Sequence, residues 1–599
     1  MSSVTRRITE AKEVFHTIII REYFIKWLPL SVIIGIAAGF SAIIFYEMLR
    51  NTTVLLLEGV TGYHPPEPIG EGEPYVKFPD LPYLIPLVTC IGGLISGFLV
   101  SAFASEAKGD GVESAVDAFH NKGGEIRTRV PFVKMIASAI TIGSGGSAGR
   151  EGPIALISAG IASLIGKIFR LTERDRRIAL AAGIGAGIGA IFRAPFGGAI
   201  LAAEILYLRD FEIEALVPAF VSSVIAYSVF SIFYGWRPIF EGGGQYVFTE
   251  PVSLVFYAFL GILCGLIGIL YVRSFYGMMS FFDKLSIPSP LKPAIGGLLV
   301  GLIGIWFPHV LGTGYGWIQK VILGDFSAIP LELIFAIIFL KILATSLTVG
   351  SGGSGGAFAP ALVIGGMTGA ATWLVFHMLG VIPEESPAPY VIVGMMAFFG
   401  GVGKVPIAVI LMVSEMTGTY NLIVPSMLST TIAYVITGEN TIYISQLPTR
   451  ADSPAHATEY SVPLLSRVKV RDAMTRNLIT ISPDEPVMKA AEIMAKHEIR
   501  GLPVVRNGIL EGMITFSDIL RLPPEERNRR KVGEIMTRNV ILTYPDETLL
   551  DAFEKMIRYQ VGRLPVVDSP RSRRIIGIIT RGDIGRVYEL RMGEIMAER

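Results

Sequence analysis

Gly143-Ser144-Gly145-Gly146-Ser147-Ala148-Gly149-Arg150-Glu151-Gly152-Pro153 returns 207 positions later as Gly350-Ser351-Gly352-Gly353-Ser354-Gly355-Gly356-Ala357-Phe358-Ala359-Pro360. The match continues downstream: Ala194-Pro195 and Glu204 have counterparts in Val405-Pro406 and Glu415, 211 positions on. Pro218 with Ile225-Ala226-Tyr227 returns as Pro425 with Ile432-Ala433-Tyr434, again 207 positions on. The chain is therefore an internal duplication, and each copy places a glycine/serine-rich loop immediately before an apolar helix opened by proline.

The duplicated region is apolar. Only 17% of the 599 residues are charged, 51% are hydrophobic and 66 are glycine. Residues 27–49, 83–103, 215–233, 254–272, 331–347 and 422–436 each form an apolar run close to the thickness of a bilayer core, several of them broken by Gly or Pro. Glycine-interrupted hydrophobic segments at matching places in two halves are the pattern of a transporter or channel built from discontinuous helices, with the halves expected to be inverted. Helix packing through small residues is the plainer explanation of the glycines, but it does not require Ser, Pro and Glu to recur in register. Arg6, Arg7, Lys12, Arg21 and Lys26 precede the first apolar run, which argues against a cleaved signal peptide and for a cytoplasmic N-terminus.

The loops suit an anion. A bare ion taken into low dielectric loses an idealised ~20 kcal/mol of solvation, and something must replace the lost water. The first amides of a helix have no intrahelical partner, and the macrodipole adds roughly half a positive charge there. Glu151 at such a start is the notable residue. Ionised, it occupies the amides as a tethered anion; protonated, it leaves, so proton binding is coupled to anion access. The alternatives are a plain N-terminal cap or a pair with Arg150. The counterpart of Glu151 in the second copy is Phe358, a neutral wall opposite an ionisable gate.

These residues resemble the CLC chloride channels and proton/chloride exchangers, over roughly residues 27–449. The Gly149-to-Pro153 stretch looks like the gating-glutamate motif of that family, and Gly356-Ala357-Phe358-Ala359-Pro360 like its second filter motif. The resemblance implies anion contacts from Gly149, Arg150, Gly152, Gly356, Ala357 and Phe358, and from Tyr443 in Asn440-Thr441-Ile442-Tyr443. It also implies a homodimer with an anion path in each subunit, and cytoplasmic termini. Two departures stand out. Gly109-Asp110-Gly111-Val112-Glu113 has Asp110 where the family usually has a serine, which places Asp110 at the anion path and requires it to be protonated, turned away or paired with a cation. Ile205 directly follows Glu204, where many exchangers carry an internal glutamate. This favours a channel, although Glu204 remains a candidate proton carrier beside Glu151; the recurrence of Glu204 as Glu415 favours a capping role instead.

Beyond residue 449 charge rises and long apolar runs stop. Asp472-Ala473-Met474-Thr475, Pro483-Asp484-Glu485, Gly501-Leu502-Pro503-Val504-Val505 and Ile514-Thr515 through Asp518 recur as Glu534-Ile535-Met536-Thr537, Pro545-Asp546-Glu547, Gly562-Arg563-Leu564-Pro565-Val566-Val567 and Ile579-Thr580 through Asp583. Short apolar strands alternate with amphipathic helices, giving an α/β unit in each copy. This tandem resembles a pair of CBS domains, and the resemblance implies that Thr515, Asp518, Thr580 and Asp583 contact the phosphates and ribose of an adenine nucleotide (ATP, ADP or AMP). The same Thr and Asp spacing is also a helix N-cap.

The expected architecture is a multi-pass α-helical membrane protein with an internal, inverted repeat and discontinuous helices, followed by an α/β CBS pair. Its divisions are a cytoplasmic segment 1–26, a transmembrane domain 27–449, a linker 450–467, CBS domains at 468–522 and 531–589, and a tail 590–599. The expected activity is chloride transport in the cell membrane, with proton-coupled exchange of chloride, nitrate or fluoride as the alternative. A CBS-bearing membrane sensor that no longer transports is the rival of another class. Enzymatic function is not expected, and no required cofactor is indicated. The net charge of +1 gives no reason to expect nucleic acid as a partner. The seven His residues are scattered and Cys90 and Cys264 form no CxxC pair, so no metal site is expected and both cysteines read as small buried residues. Gly185-Ala186-Gly187-Ile188-Gly189-Ala190 spells a dinucleotide fingerprint without a preceding strand and reads as packing.

Overall fold

The computed structural model describes residues 3–242, 246, 248, 250–382, 386–456 and 465–597. Residues 457–464 of the expected linker, 598–599 of the expected tail and 1–2 of the expected N-terminal segment lie outside the described residues. The chain divides into two compact units, Met1–Ala455 and His456–Arg599.

In the first unit, the helices of eight residues or more form two series in the same order among the described residues. The first series is α1 (Ser3–Thr53), α2 (Ile85–Phe103), α3 (Val112–Asn121), α4 (Arg129–Gly143), α5 (Glu151–Ile168), α6 (Glu173–Ile191), α7 (Pro195–Glu204) and α8 (Ile213–Tyr234). The second is α9 (Leu254–Lys284), α10 (Leu291–Trp306), α11 (Tyr315–Ile322), α12 (Leu331–Gly350), α13 (Phe358–Met378), α14 (Ala388–Gly403), α15 (Pro406–Thr417) and α16 (Ile423–Thr437). The duplication seen in the loops thus extends to every helix. Helix α1 runs without a break through residue 26, so the expected end of the N-terminal segment is not a structural boundary.

Seven helical stretches are long and apolar enough to cross a membrane among the described residues: Tyr23–Thr61, Pro82–Phe103, Glu151–Ile168, Ile213–Tyr234, Pro251–Lys284, Leu331–Gly350 and Phe358–Met378. Leu28, Ile36, Phe40 and Ile44 share one side of α1 and are all more than 40% exposed, an apolar stripe that lipid covers. The opposite side packs into the main core through Ala38, Ala42 and Phe45. Cys264 is buried as expected, but Cys90 on α2 is only partly so, because one face of that helix is exposed.

Reciprocal contacts relate the two series. Ser138 on α4 meets Ser354 at 2.8 Å, and Ser147 meets Thr345 on α12 at 3.0 Å, each contact being the other with the copies exchanged. Glu204 at the end of α7 accepts from the amides of Ile407 (3.2 Å) and Ala408 (2.7 Å) at the start of α15. Glu415 on α15 accepts from Phe196 (3.1 Å) and Gly197 (2.8 Å) at the start of α7. Contacts that map onto themselves when the copies are swapped define a local two-fold axis. A Cβ on Gly365 of α13 would lie 2.4 Å from the Gly394 carbonyl of α14, and one on Gly394 2.3 Å from that of Gly365, so these helices touch backbone to backbone. Gly185, Gly187 and Gly189 lie inside α6, where the dinucleotide-like spelling serves helix packing.

In the second unit, β1 (Gly501–Arg506) pairs antiparallel with β2 (Ile509–Thr515), and β3 (Arg563–Val567) with β4 (Ile575–Thr580). Amphipathic helices α17 (Val487–Lys496) and α18 (Leu549–Arg558) cover the two hairpins, and α19 (Arg581–Ala597) follows β4. The copies exchange a segment: Thr475, ahead of the first hairpin, bridges to Ile578 of β4, while Thr537, ahead of the second, bridges to Met513 of β2. Neither hairpin is thereby left with two open edges.

The caps give a test of the two-fold frame. Glu204→Ala leaves two amides at the start of α15, that of Ala408 buried, without their acceptor and is expected to lower stability by roughly 2 kcal/mol. Thermal unfolding in detergent checks this, with Glu204→Gln, which keeps one acceptor oxygen, falling between the variant and the wild type.

Candidate functional site

The two glycine loops meet at the local axis. Gly149 and Gly356 exchange backbone hydrogen bonds, each N–H donating to the other's carbonyl at 2.7 Å in an antiparallel bridge. Both positions require glycine. A Cβ on Gly149 would lie 1.8 Å from a Glu151 carboxylate oxygen and 2.9 Å from the Ala359 nitrogen, and one on Gly356 would lie 2.9 Å from the Gly152 nitrogen. The bridge brings the starts of α5 and α13 together. The amides of Gly149 and Gly356, two of the expected anion contacts, are spent on each other.

Glu151 is the first residue of α5 and only 2% exposed. Its carboxylate reaches out of its own copy. Oε2 lies 3.4 Å from the Ala359 N–H in the first turn of α13, and Oε1 accepts a short hydrogen bond from the Tyr315 hydroxyl. Arg150 is not its partner. That guanidinium is buried against the Glu71 carboxylate and lies over the rings of Tyr46, Phe192 and Tyr315 at 5.3, 5.7 and 5.5 Å. Arg150, expected as an anion contact, thus has its side chain committed to Glu71 and fixes the aromatic wall beside the gate. A cavity of about 360 Å³ adjoins this pair, lined among others by Arg50, Glu58, His64 and Glu67.

On the other side of the bridge lies Asp110, 7% exposed. Its Oδ2 accepts from the Ala357 N–H at 2.6 Å, and its Oδ1 from the Val112 N–H at 3.0 Å. The carboxylate is not turned away from the expected anion site: one of the two amides it takes is that of Ala357. A cation is also close: Lys134 of α4, fully buried, donates to the carbonyls of Gly109 (2.6 Å) and Ala107 (3.2 Å) and interacts electrostatically with Asp110. Gly152 makes the room, since a Cβ there would lie 2.6 Å from Asp110 Oδ1.

Phe358 packs its ring on Phe399 at 4.2 Å and Phe192 at 5.4 Å, and Tyr443 joins the far side of Phe399 at 6.4 Å. Tyr443 is 1% exposed and within electrostatic reach of Asp110, Tyr271 and Glu151. Glu113 holds its loop, accepting from the Ile444 N–H at 2.8 Å and from the Tyr276 hydroxyl at 3.0 Å. The structure therefore brings Glu151, Gly152, Ala357, Phe358, Asp110 and Tyr443 to one place. Glu204 has both oxygens on the start of α15.

Sequence reasoning missed Tyr315, Glu113, Lys134 and Lys341. Lys341 sits 207 positions after Lys134, equally buried, and donates to Val310 (2.9 Å) and Gly312 (2.8 Å). Its loop, Gly312-Thr313-Gly314-Tyr315, is the counterpart of Gly109-Asp110-Gly111-Val112. The repeat offset was the available signal: two lysines in register inside apolar helices, and a tyrosine following the second Gly-x-Gly.

In the tail, the Thr515 hydroxyl donates to Asp518 at 2.6 Å and the Thr580 hydroxyl to Asp583 at 2.7 Å, while each aspartate also accepts its threonine's N–H at 2.9 Å. Both pairs form helix-capping boxes. Burial and the like charge of Arg500 together hold the Arg563 guanidinium below its ordinary range.

Comparison with known proteins gives matching results. The family model for the voltage gated chloride channel matches residues 92–438, and the CBS domain model matches residues 470–525 and 532–589. An uncharacterized protein of Methanocaldococcus jannaschii is 30% identical over 422 residues, 70% of this chain and 95% of its own length. The H(+)/Cl(-) exchange transporter of Cronobacter sakazakii is 28% identical over 67% of this chain and 84% of its own. Among solved structures, a slow cyanobacterial Cl-/H+ antiporter is 25% identical with a TM-score of 0.58, over 70% of this chain and 96% of its own. A eukaryotic CLC transporter shares the fold at 18% identity and a TM-score of 0.55, over 94% of this chain and 98% of its own.

Proposed function

This chain belongs to the voltage gated chloride channel (CLC) family of anion-transporting membrane proteins, and from that premise we propose that it moves chloride along a path in each subunit of a homodimer, gated by Glu151. The observation that supports the gate is the reach of the Glu151 carboxylate to the Ala359 amide of the opposite copy, where it takes a donor that an anion would use. Protonation removes the charge that holds it there, and the side chain gives way to the ion. Ala357, Phe358, Gly152 and Tyr443 line the position beyond. The protein resides in the cell membrane with both termini cytoplasmic, a reading supported by the basic residues ahead of the first apolar run.

Passive conduction and proton-coupled exchange divide on one measurement. Ile205, 1% exposed, carries no proton where many exchangers have glutamate, which supports conduction. Similarity to a Cl-/H+ antiporter supports exchange. In proteoliposomes with a chloride gradient and a proton indicator, uphill proton movement driven by chloride establishes exchange. Large chloride flux without it establishes a channel.

The CBS pair acts as the regulatory module and binds an adenine nucleotide, with Thr515, Asp518, Thr580 and Asp583 as contacts. The neighbouring guanidiniums of Arg500 and Arg563, which repel one another, support an anionic phosphate nearby.

Three outcomes are expected. Glu151→Gln transports more chloride at alkaline pH, where the wild type is slow, and weakens the pH dependence of flux; an unchanged pH profile removes Glu151 from the gate. Tyr315→Phe deletes a donor that holds the ionised carboxylate in place, worth about 1.5 kcal/mol, so half-maximal flux moves to higher pH by about one unit. Calorimetry of the full-length protein with ATP, ADP and AMP shows saturable binding that Asp583→Asn weakens by about tenfold; absence of heat with all three nucleotides rejects the site.

A further inference from the structure

Two carboxylates, not one, sit on the start of α13. Glu151 approaches the amide of Ala359 and Asp110 takes that of Ala357, leaving the amide of Phe358 between them in sequence. The Asp110 bond is the shorter, 2.6 Å against 3.4 Å, and its second oxygen is held by Val112 at 3.0 Å. We propose that Asp110 is a second tethered gate, occupying the inner anion position at the Ala357 amide as Glu151 occupies the outer one, so that anion passage requires both carboxylates to be displaced. This deepens the reading of Glu151 as a gate and rests on it.

What separates Asp110 from the exchanged caps of Glu204 and Glu415 is which donor it takes. One of its oxygens caps its own helix, through Val112 at the start of α3. The bond to Ala357 instead crosses 247 positions to the other copy and takes a donor of the anion site. The two roles use different oxygens, so Oδ2 can be freed while Oδ1 keeps the cap. A proton from the aqueous phase taken up on Oδ2 abolishes its capacity to accept strongly from Ala357, and the amide then becomes available to the ion. The resulting hydroxyl can donate to the ion.

The surroundings can support either charge state. Among the described residues, Lys134 from α4 faces Asp110 as a cation, Glu113 on α3 opposes its negative charge, and Tyr271, Tyr276 and Tyr443 are titratable neighbours, of which Tyr271 and Tyr443 also face Glu151 on α5. Lys134 spends its hydrogen bonds on Ala107 and Gly109 carbonyls. It therefore favours the charge of Asp110 without locking the carboxylate by direct contact.

The test uses the full-length protein in the Glu151→Gln background, which removes the outer carboxylate and leaves Asp110 as the variable. Flux of this single variant in proteoliposomes retains an acid-activated component of about tenfold between about pH 4.5 and about pH 7.5. Adding Asp110→Asn abolishes that component; asparagine keeps an oxygen for Val112 and so preserves the fold. Equilibrium calorimetry with chloride at about pH 7.5 provides a readout independent of transport: Asp110→Asn and Asp110→Ser, each with Glu151→Gln, bind chloride about tenfold more tightly than Glu151→Gln alone, because the competing carboxylate is gone. A structural cap alone would lower thermal stability without tightening binding. Equal chloride affinity with and without Asp110, or a pH profile unchanged by its neutralisation, overturns the proposal. Absence of chloride flux in every protein with binding still tightened would instead overturn the transport reading and leave Asp110 at the Ala357 amide.

Discussion

Two hydrogen bonds between Gly149 and Gly356 are the constraint on which the remaining architecture of the site depends. They join equivalent residues of the two copies and leave no space for a Cβ at either position. The helix starts at Glu151 and Phe358 consequently lie side by side, and a single glutamate can span from one to the other. A larger residue at either glycine would separate the copies by more than a hydrogen bond can bridge. The serine and threonine contacts on α4 and α12, and the exchanged glutamate caps on α7 and α15, hold the same axis farther out.

The energetics fit passage better than storage. Desolvating a monovalent ion costs several kcal/mol even after the protein relaxes. Each charge-assisted amide bond returns about 1.5–3 kcal/mol, and a helix start adds at most ~2. A site of two or three amides therefore offsets the loss without a deep well, as conduction requires. A tethered carboxylate competes on nearly equal terms, because it offers the same charge to the same donors and has already lost much of its freedom. That is why proton binding, which removes the charge, is a sufficient switch. Buried Lys134 and Lys341 adjust this balance indirectly, by holding the carbonyls of the flanking Gly-x-Gly loops away from the path.

Much of this was legible in the sequence because the duplication is written in residues with special backbone or capping roles. Glycine, proline and glutamate recur in register, and six apolar runs lie in α1, α2, α8, α9, α12 and α16. The helices that begin at Glu151 and Phe358 were readable as apolar and opened by proline, but not as spans: they are rich in glycine and alanine, and their surroundings are protein, not lipid. Contacts between distant segments were the other gap. Nothing local joins Arg150 to Glu71 or Tyr315 to Glu151, and no composition argument assigns the oxygens of Asp110 to Ala357 and Val112. The capping boxes of the tail were readable as Thr and Asp three residues apart, since a cap is a local interaction.

A symmetric frame would carry an anion equally well from either copy, yet the chemistry is not symmetric. Glu151 faces Phe358 as its counterpart, Asp110 faces Thr313, and Val112 faces Tyr315. At the site, the contacts that cross between the copies have their carboxylates in the first and their donors in the second: the amides of Ala357 and Ala359 and the hydroxyl of Tyr315 all belong to the Gly312-to-Met378 side. The ion must compete for donors from one copy against acceptors from the other. A small displacement of α13 relative to α3 and α5 would thus lengthen both carboxylate contacts at once. The duplication supplies the shared axis, and the divergence between its halves supplies the gate.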